Sequence, residues 1–376
     1  MMCSRKIVVF VKNKLITIDT VIPILIEMKD KYNITSEIVV FDNLAHEAIN
    51  NNIVLKDAIK YVGNELFITK GEKNKILRRL NVFISLSRLF VNFICGAKIL
   101  HFGLLSSWPF AFFAHLFSKR VYQLQPVSYD FRYSVIMRRN GKAFVYPIGK
   151  NIVIFGKESG KHYYRSVLNK RKVFYFGETR TRPHWVKYIR DRGDYYFNLF
   201  HSNINFSNGS IVYILGAIDL YQHKKDLFYK TIHSLSLINH KIPILLKPHA
   251  YTEIETVQSA ISKYKNMYLT FLHPSVLSTR SVVFICNNFS NTLADAHSFG
   301  VTTIEYSNES ASGKSDLSLF PDNESIEPQF VDYYIDNDEV KFSQVLNKIL
   351  LENHSPSTFN GKGGSNDELL VSLSTR

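Results

Sequence analysis

Residues 242–255, IPILLKPHAYTEIE, and residues 282–306, VVFICNNFSNTLADAHSFGVTTIEY, decide the fold of this chain. In each stretch a short apolar run is followed by polar residues and then by a helical pattern. The first run leads into Lys247 and His249, and the second leads into a Ser-Asn-Thr cluster. Short apolar runs bounded by turn residues predict strands buried on both faces of a parallel sheet. Parallel sheets bind ligands beyond the carboxyl ends of their strands, so a ligand site is expected there.

The same alternation of apolar runs and helical patterns extends over nearly the whole chain and restarts after the polar stretch at 205–208. Two successive βαβ series predict two doubly wound α/β domains. We predict an N-terminal Rossmann-like domain over residues 1–204, with a connecting segment at 174–200, and a C-terminal one over 205–354. Residues 355–376 are rich in Ser, Gly and Asn, which is typical of a mobile tail.

The charge balance points to an anionic partner. The 376 residues include 46 Lys and Arg against 32 Asp and Glu, a net charge of +14. Nucleic acid, an anionic membrane surface and an anionic small substrate all suit such a balance. The basic residues are scattered, and the sequence contains no zinc-finger spacing, RNP-like aromatic motif or basic helix of the nucleic-acid type, which disfavours nucleic acid.

The sequence also bears on location. The apolar run at 6–11 is too short for a secretory signal and is predicted to be a strand. The most apolar region, 89–117, is interrupted by Lys98, His101 and Pro109, whereas a membrane span needs about 20 continuous apolar residues. We therefore expect a cytoplasmic protein, peripheral to the inner face of the cell membrane if it contacts a membrane at all.

The polar residues after the predicted strands suit a phosphorylated ligand. The Lys247 ammonium and the His249 imidazole can neutralise phosphate charge, although a strand-end lysine and a helix-capping histidine are the structural alternatives. Ser290, Asn291 and Thr292 stand at a helix start, where backbone N–H groups attract phosphate oxygens. Ordinary capping by Ser290 or Asn291 is compatible with that role.

Three further residues are candidates for contacts with a nucleotide. Gly216 follows the apolar run at 211–215 and permits close approach of the backbone to a ligand. Glu253 and Glu305 can each accept from a ribose hydroxyl, with helix-dipole compensation as the alternative for Glu253. Asp219, in the loop after Gly216, is interpreted as a helix cap.

Two motifs carry a resemblance to known proteins. The stretch LLKPHAYTE resembles the K-P-H-P signature of polysaccharide-assembling GT-B glycosyltransferases, with Ala250 in place of the second proline. The stretch 287–306 resembles the Ser-Ser/Thr loop, helix and Gly-Val-Pro turn of the same family, with Thr302 where proline is common. Residues 98–130 and 152–165 are similar to N-terminal-domain elements of that family.

The resemblance implies a GT-B enzyme of bacterial surface-polysaccharide assembly, of the O-antigen or capsule type. Such an enzyme moves a sugar from a nucleotide-sugar donor to a lipid-linked or glycan acceptor without a metal ion. By this resemblance His273 would lie near the nucleotide base, and Asp130, His101 or Asp19 would be the general base. The resemblance is compatible with a sugar donor linked to CMP, UDP or GDP.

Two alternatives accompany this hypothesis. A sugar-nucleotide 2-epimerase shares the fold, but the His-Arg-rich and Asp-Ser-Gly-Gly motifs of that family are absent. A non-catalytic glycan- or membrane-binding scaffold would keep the fold without binding a nucleotide. The sequence contains no Walker motif, no Gly-x-Ser-x-Gly elbow and no spacing typical of a metal site, so no cofactor besides the donor is expected.

Overall fold

The computed structural model divides the chain into two compact units, Met1–Trp185 with Lys362–Arg376, and Val186–Gly361. The residues that the structure describes are 6–11, 15–68, 74–102, 108–124, 149–154, 171–216, 218–220, 222–238, 242–249, 251–288, 290–308, 325, 328–351 and 367–375.

The first unit contains a parallel sheet of seven strands in the order β3-β2-β1-β4-β5-β6-β7. Its strands are β1 (Lys6–Val11), β2 (Thr35–Val40), β3 (Gly63–Phe67), β4 (Lys98–Phe102), β5 (Val121–Leu124), β6 (Asn151–Ile154) and β7 (Lys172–Tyr175). Its described helices are α1 (Ile16–Tyr32), α2 (Asn43–Asn51), α3 (Ile53–Val62), α4 (Lys75–Ile94) and α5 (Phe110–Leu116).

The second unit contains a parallel sheet of six strands in the order β10-β9-β8-β11-β12-β13. Its strands are β8 (Ile211–Ile214), β9 (Ile244–Lys247), β10 (Met267–Leu269), β11 (Val283–Cys286), β12 (Thr302–Ser307) and β13 (Tyr333–Asp336). The helices from the unit boundary onwards are α6 (Pro183–Arg190), α7 (Gly193–His201), α8 (Gln222–Ser236), α9 (Ile254–Ile261), α10 (Pro274–Leu277), α11 (Asn291–Ser298), α12 (Glu339–Leu351) and α13 (Glu368–Ser374).

The central strands are apolar because helices cover both of their faces. All residues of β8 and β11 are buried. One face of this sheet shares a hydrophobic core with α8, α9 and α12, in which Tyr213, Phe228 and Ile304 are each under 1% exposed. Burial on both faces gives the continuous apolar runs that predicted parallel strands. The predicted α/β class with two doubly wound parallel sheets is confirmed.

The boundary between the units differs from the predicted one at 204/205. The chain passes from one unit to the other within α6, between Trp185 and Val186. Trp185 is fully buried, and α7 belongs to the second unit, where Asp194 pairs with Arg280 at 2.6 Å. The predicted connecting segment is therefore built into both units, with β7 as the last strand of the first sheet.

The prediction of a mobile tail fails for residues 367–375. They form α13, which returns to the first unit and buries Leu369, Leu370 and Leu373 there. Among the described residues, no helix is both long and apolar enough to cross a membrane.

Candidate functional site

The second sheet has a topological switch point between β8 and β11. From β8 the chain proceeds through α8 to β9 on one side, and from β11 through α11 to β12 on the other. The two connections diverge, which opens a crevice at the carboxyl ends of β8 and β11. Gly216 lies beside this crevice, and a Cβ atom placed there would be 3.6 Å from the carbonyl oxygen of Asn287. The sequence therefore brings a glycine to the point where ligands of this topology bind.

Thr252 fastens the loops after β8 and β9 to each other. Its buried hydroxyl donates to the carbonyl oxygen of Gly216 at 3.0 Å and accepts from the backbone N–H of His249 at 3.2 Å. The carboxylate of Asp219 accepts from the backbone N–H of Glu253 at 2.9 Å, just before α9. Asp219 therefore holds the residue that precedes α9 rather than the helix that follows its own loop. Thr252 thus positions both loops.

Lys247 and His249 lie where the sequence placed them, at and just beyond the end of β9. The ammonium of Lys247 donates to the carbonyl oxygen of Phe271 at 3.5 Å. The side chain of His249 is exposed. Its Nδ1 accepts from the backbone N–H of Tyr251 at 3.3 Å. Desolvation, followed by the positive charge of Lys224, holds the pKa of His249 below its usual value, so its imidazole is neutral near pH 7.

Lys224 is a cation that the sequence analysis missed. It lies in the first turn of α8, directly after the loop that contains Gly216, and its charge acts on His249. The signal in the sequence is the run QHKK at 222–225 just after a strand-end glycine. Lys224 is therefore a second cation, besides Lys247, close enough to influence this edge of the sheet.

The cluster after β11 turns sharply into α11. Asn288 has a positive φ of 83°, a conformation that asparagine tolerates better than most residues. Ser290 is the N-cap of α11, and its hydroxyl accepts from the N–H of Thr292 at 3.4 Å and from the Thr292 hydroxyl at 3.0 Å. Asn291 and Thr292 form the first turn, both half-buried. The start of α11 therefore stands at the carboxyl edge of the sheet.

Asn287 holds this edge together from inside. Its side chain is 5% exposed, accepts from the hydroxyl of Tyr213 on β8 and donates to the carbonyl oxygen of Tyr306 on β12 at 2.9 Å. It also donates to Thr231 of α8 at 3.3 Å. One buried amide thus fixes the positions of two neighbouring strands and a helix beside the crevice.

Two predicted ligand contacts are buried inside the unit. His273 caps α10 by accepting from the N–H of Ser275 at 3.2 Å. Glu305 lies within β12, 3% exposed, and is the parallel-strand neighbour of Cys286. Burial raises the pKa of the Cys286 thiol, a hydrogen bond to Thr292 lowers it, and the charge of Glu305 raises it further. Glu305 therefore faces the interior beneath α11, and its role as a ribose contact stays a prediction. Glu253 is exposed at the start of α9.

The first sheet has an equivalent switch point between β1 and β4. His101, near the end of β4, is buried and its Nδ1 lies 3.3 Å from the carbonyl oxygen of Phe10 on β1. Because a carbonyl only accepts, the proton is on Nδ1 and the basic nitrogen is Nε2. Asp130 lies outside the described residues. Asp19 is in α1, where it pairs with Arg180 at 2.8 Å.

The described part of the chain contains no group of three or more His, Cys, Asp or Glu side chains that could hold a metal ion.

The similarity of this structure to known proteins identifies its fold. No family model matches the sequence, and no curated protein matches it. The structure is similar to UDP-GlcNAc 2-epimerase from Methanocaldococcus jannaschii, with a TM-score of 0.62, 12% identity, and 98% of this chain and 99% of that chain covered. The Neisseria meningitidis UDP-GlcNAc 2-epimerase bound to UDP-GlcNAc gives a TM-score of 0.61 at the same identity and coverage. The S. aureus MnaA–UDP structure gives 0.55 at 11% identity, covering 98% and 90%.

At 11–12% identity this likeness shows the fold and no particular activity. The likeness extends over nearly the full length of these proteins. It agrees with the two parallel-sheet units seen here, each with its own switch point. The chain has the GT-B fold.

Proposed function

We propose that this protein is a metal-independent glycosyltransferase that binds a nucleotide-sugar donor at the carboxyl edge of its second sheet. One observation carries the proposal. At this carboxyl edge the Gly216 backbone, the start of α11, and the strand-end Lys247 lie at the ends of neighbouring strands. A diphosphate suits that set, because helix N-terminal N–H groups and ammonium groups both attract its oxygens.

Each group has a defined part in the proposed reaction. Lys247 neutralises the negative charge that grows on the phosphate of the departing nucleotide, and His249 hydrogen-bonds the same phosphate. Ser290 and Asn291 present backbone N–H groups to it, Thr292 closes the turn through its contacts with the Ser290 hydroxyl, and Gly216 admits the ligand close to the backbone. Glu253, exposed at the start of α9, is the candidate for the ribose contact, whereas the side chains of Glu305 and His273 are buried and are given no part in the reaction.

The acceptor is the second substrate. An inverting transfer needs one base to take the acceptor hydroxyl proton as the new glycosidic bond forms and the bond to the diphosphate breaks. His101, with Nε2 as its basic nitrogen, and Asp130 are the candidates. We propose a lipid-linked or glycan acceptor of bacterial surface-polysaccharide assembly.

A sugar-nucleotide 2-epimerase is the second candidate, favoured by a specific observation. The epimerase structures cover 98% of this chain and 99% of their own length, and two of them hold UDP-GlcNAc or UDP-GlcNAc with UDP. Chemistry favours transfer. Inversion at a sugar carbon requires proton removal and proton return, and so acid–base groups on both sides of that carbon. In the sequence the segment after β4, at 103–107, contains no carboxylate, and the first carboxylate after β5 is Asp130.

The first experiment is a thermal-shift screen of the purified protein against UDP, GDP, CMP, CDP and their common sugar conjugates. A ligand that binds the folded state stabilises it by about 2.7 kcal/mol at a hundredfold excess over its Kd. We expect one nucleotide to shift the Tm selectively and the shift to be lost in Lys247→Ala. The matched control is Lys348→Ala, an exposed lysine on α12 in the same unit.

The selected sugar conjugate then separates the two activities. Incubated without an acceptor, a transferase leaves the sugar configuration unchanged, whereas an epimerase converts it, as ¹H NMR of the anomeric region would record. Epimerisation in the absence of acceptor would replace the transferase proposal. No Tm shift with any nucleotide would overturn both and favour the scaffold alternative.

A further inference from the structure

Helix α4 of the first unit has apolar residues on two opposite faces. One face packs into the core, where Ser85, Leu89 and Phe93 are buried. The other face carries six apolar side chains that are 52–76% exposed, namely Ile76, Leu80, Phe83, Ile84, Val91 and Ile94. Their positions recur three and four residues apart, so they form one continuous stripe along the helix.

Exposed aromatic side chains also occur near the end of α4 and on α5. Phe90, near the end of α4, lies 6.1 Å from Phe117, which follows α5. On α5 itself Phe112 is exposed and lies 5.4 Å from Trp108, which is 70% exposed. Isolated exposed apolar residues need no explanation, but a contiguous stripe of this length marks an interaction surface. We call the α4 stripe, together with these aromatic side chains, the apolar face.

The exposed charges beside the apolar face are positive, while Arg88 of α4 pairs with the buried carboxylate of Glu37 at 2.7 Å. Lys75, Arg78 and Arg79 are exposed in the first turns of α4, and Lys119 is exposed after α5. Residues 73–129 contain no Asp or Glu at all. A partner that covers the apolar face therefore meets cations and no nearby carboxylate from this segment.

We propose that the apolar face is a docking surface for an anionic lipid bilayer. A helix with apolar side chains towards the acyl region and Lys and Arg at the headgroup level is the arrangement of interfacial membrane helices. Because its opposite face is packed in the core, α4 lies along the interface rather than across it. A second copy of the chain would instead bring two acid-free basic surfaces together, which their repulsion opposes. The inference concerns the first unit and does not depend on the proposed donor site.

The test is co-flotation of the full chain with vesicles of phosphatidylcholine alone and of phosphatidylcholine with 30% phosphatidylserine. We expect binding to the anionic vesicles that weakens with added salt, and about fivefold weaker binding for each exposed cation removed. The variant Arg78→Glu with Arg79→Glu should therefore release most of the protein, while Lys348→Glu on α12 should not.

The apolar contribution is tested separately with Leu80→Ser and Phe83→Ser combined, which should weaken vesicle binding at least about tenfold. Both side chains are exposed, so an unchanged Tm checks folding, and Leu237→Ser, with a side chain 73% exposed in the second unit, is the matched control. Three outcomes would overturn the proposal: no binding to anionic vesicles, equal loss with the control variants, or a dimer in solution that Leu80→Ser with Phe83→Ser makes monomeric. Nucleotide binding in the thermal-shift screen should be the same in all these variants, so failure here leaves the donor proposal untouched.

Discussion

The amino edge of the first sheet and the carboxyl edge of the second both concentrate polar side chains, but they use them differently. At the amino edge, the buried Lys98 at the start of β4 donates to the carbonyl oxygens of Ser372 and Thr375, the latter at 2.7 Å. At the carboxyl edge, Thr252 joins two loops around Gly216. The amino edge binds the chain's own C-terminal helix, whereas the carboxyl edge shapes a crevice.

An ion-pair network adds to the fastening of α13. Arg182 makes two hydrogen bonds to the buried carboxylate of Glu27, at 2.7 and 2.8 Å, and Lys31 contacts the same carboxylate at 2.7 Å. Arg182 and Lys31 also each lie 3.4 Å from Asp367 just before α13. Ligands of parallel sheets bind at the carboxyl ends of the strands. The amino edge of the first sheet therefore contributes to stability, and the carboxyl edge of the second sheet contributes to ligand binding. Variants at the amino edge should change the free energy of unfolding, and variants at the carboxyl edge should change nucleotide affinity.

The largest effect is expected for Glu27→Gln. It removes the buried carboxylate that Arg182 and Lys31 share and leaves Arg182 only the half-exposed Asp367 carboxylate at 3.4 Å, which costs about 3 kcal/mol of unfolding free energy. Urea denaturation measures the change, with the exposed Glu47→Gln on α2 as control. Nucleotide affinity of the folded variant should equal that of the parent protein. A weaker nucleotide affinity at unchanged stability would show that the amino edge contributes to binding and not to stability.

Glu27 also gives the stability a pH dependence. Burial alone would raise the pKa of its carboxyl group, but the hydrogen bonds and charges of Arg182 and Lys31 outweigh burial and lower it. A carboxyl with a lowered folded-state pKa stabilises fully above the unfolded value of about 4.3 and loses that contribution as the pH falls through the folded-state value. The parent protein should therefore lose more stability than Glu27→Gln between pH 5 and pH 3.

The amino edge was hidden from sequence reasoning, and the carboxyl edge was not. Lys247, His249 and Ser290 directly follow apolar runs, so the direction of a parallel strand places them at one edge without knowledge of the sheet order. Lys98 is 277 residues away from its partner Thr375 in the chain, and Arg182 is 155 residues away from its partner Glu27. No local pattern reports such contacts, which is why the C-terminal segment was predicted to be mobile.

Some strands escaped prediction for a related reason. β3, the outermost strand of the first sheet, has a partly exposed sequence, GNELF, without the apolar run that marks a central strand. β7, at the other edge of the first sheet, and β13, at one edge of the second, are likewise only partly buried. Glu305 is buried because it lies within β12, which continues to Ser307.

The second prediction concerns Lys98→Met at the amino edge. The methionine keeps the apolar stem but leaves the carbonyl oxygens of Ser372 and Thr375 without this donor, at a cost of about 2 kcal/mol. The effect should be local, because α13 makes these contacts through its last turn. Hydrogen exchange of the α13 amides should accelerate by about thirtyfold, while the amides of β8 and β11 keep their rates. Uniform acceleration across both units would show that α13 does not open by itself.

The third prediction tests the carboxyl edge with Thr252→Val. Valine keeps the shape of threonine but removes the hydroxyl that joins the loops at Gly216 and His249, so the crevice loses its fixed geometry. We expect about tenfold weaker nucleotide binding, which corresponds to about 1.4 kcal/mol, and recovery in Thr252→Ser, which restores the hydroxyl. Isothermal titration with the nucleotide selected by the thermal-shift screen measures both. Equal affinities for the valine and serine variants would mean that the hydroxyl does not position the site.

The smallest effect is expected from the titration of His249. Desolvation and the charge of Lys224 hold its pKa below the usual value, so in the free protein it is protonated only in acid. A bound diphosphate would raise that pKa again, and binding would then take up a proton. Affinity for the nucleotide-sugar, whose diphosphate has no group titrating near pH 6, should therefore rise about threefold from pH 7.5 to pH 6. His249→Asn should flatten this profile, and the exposed His233→Asn on α8 should retain it. A rise that persists without His249 would assign the proton to another group and remove His249 from the donor site.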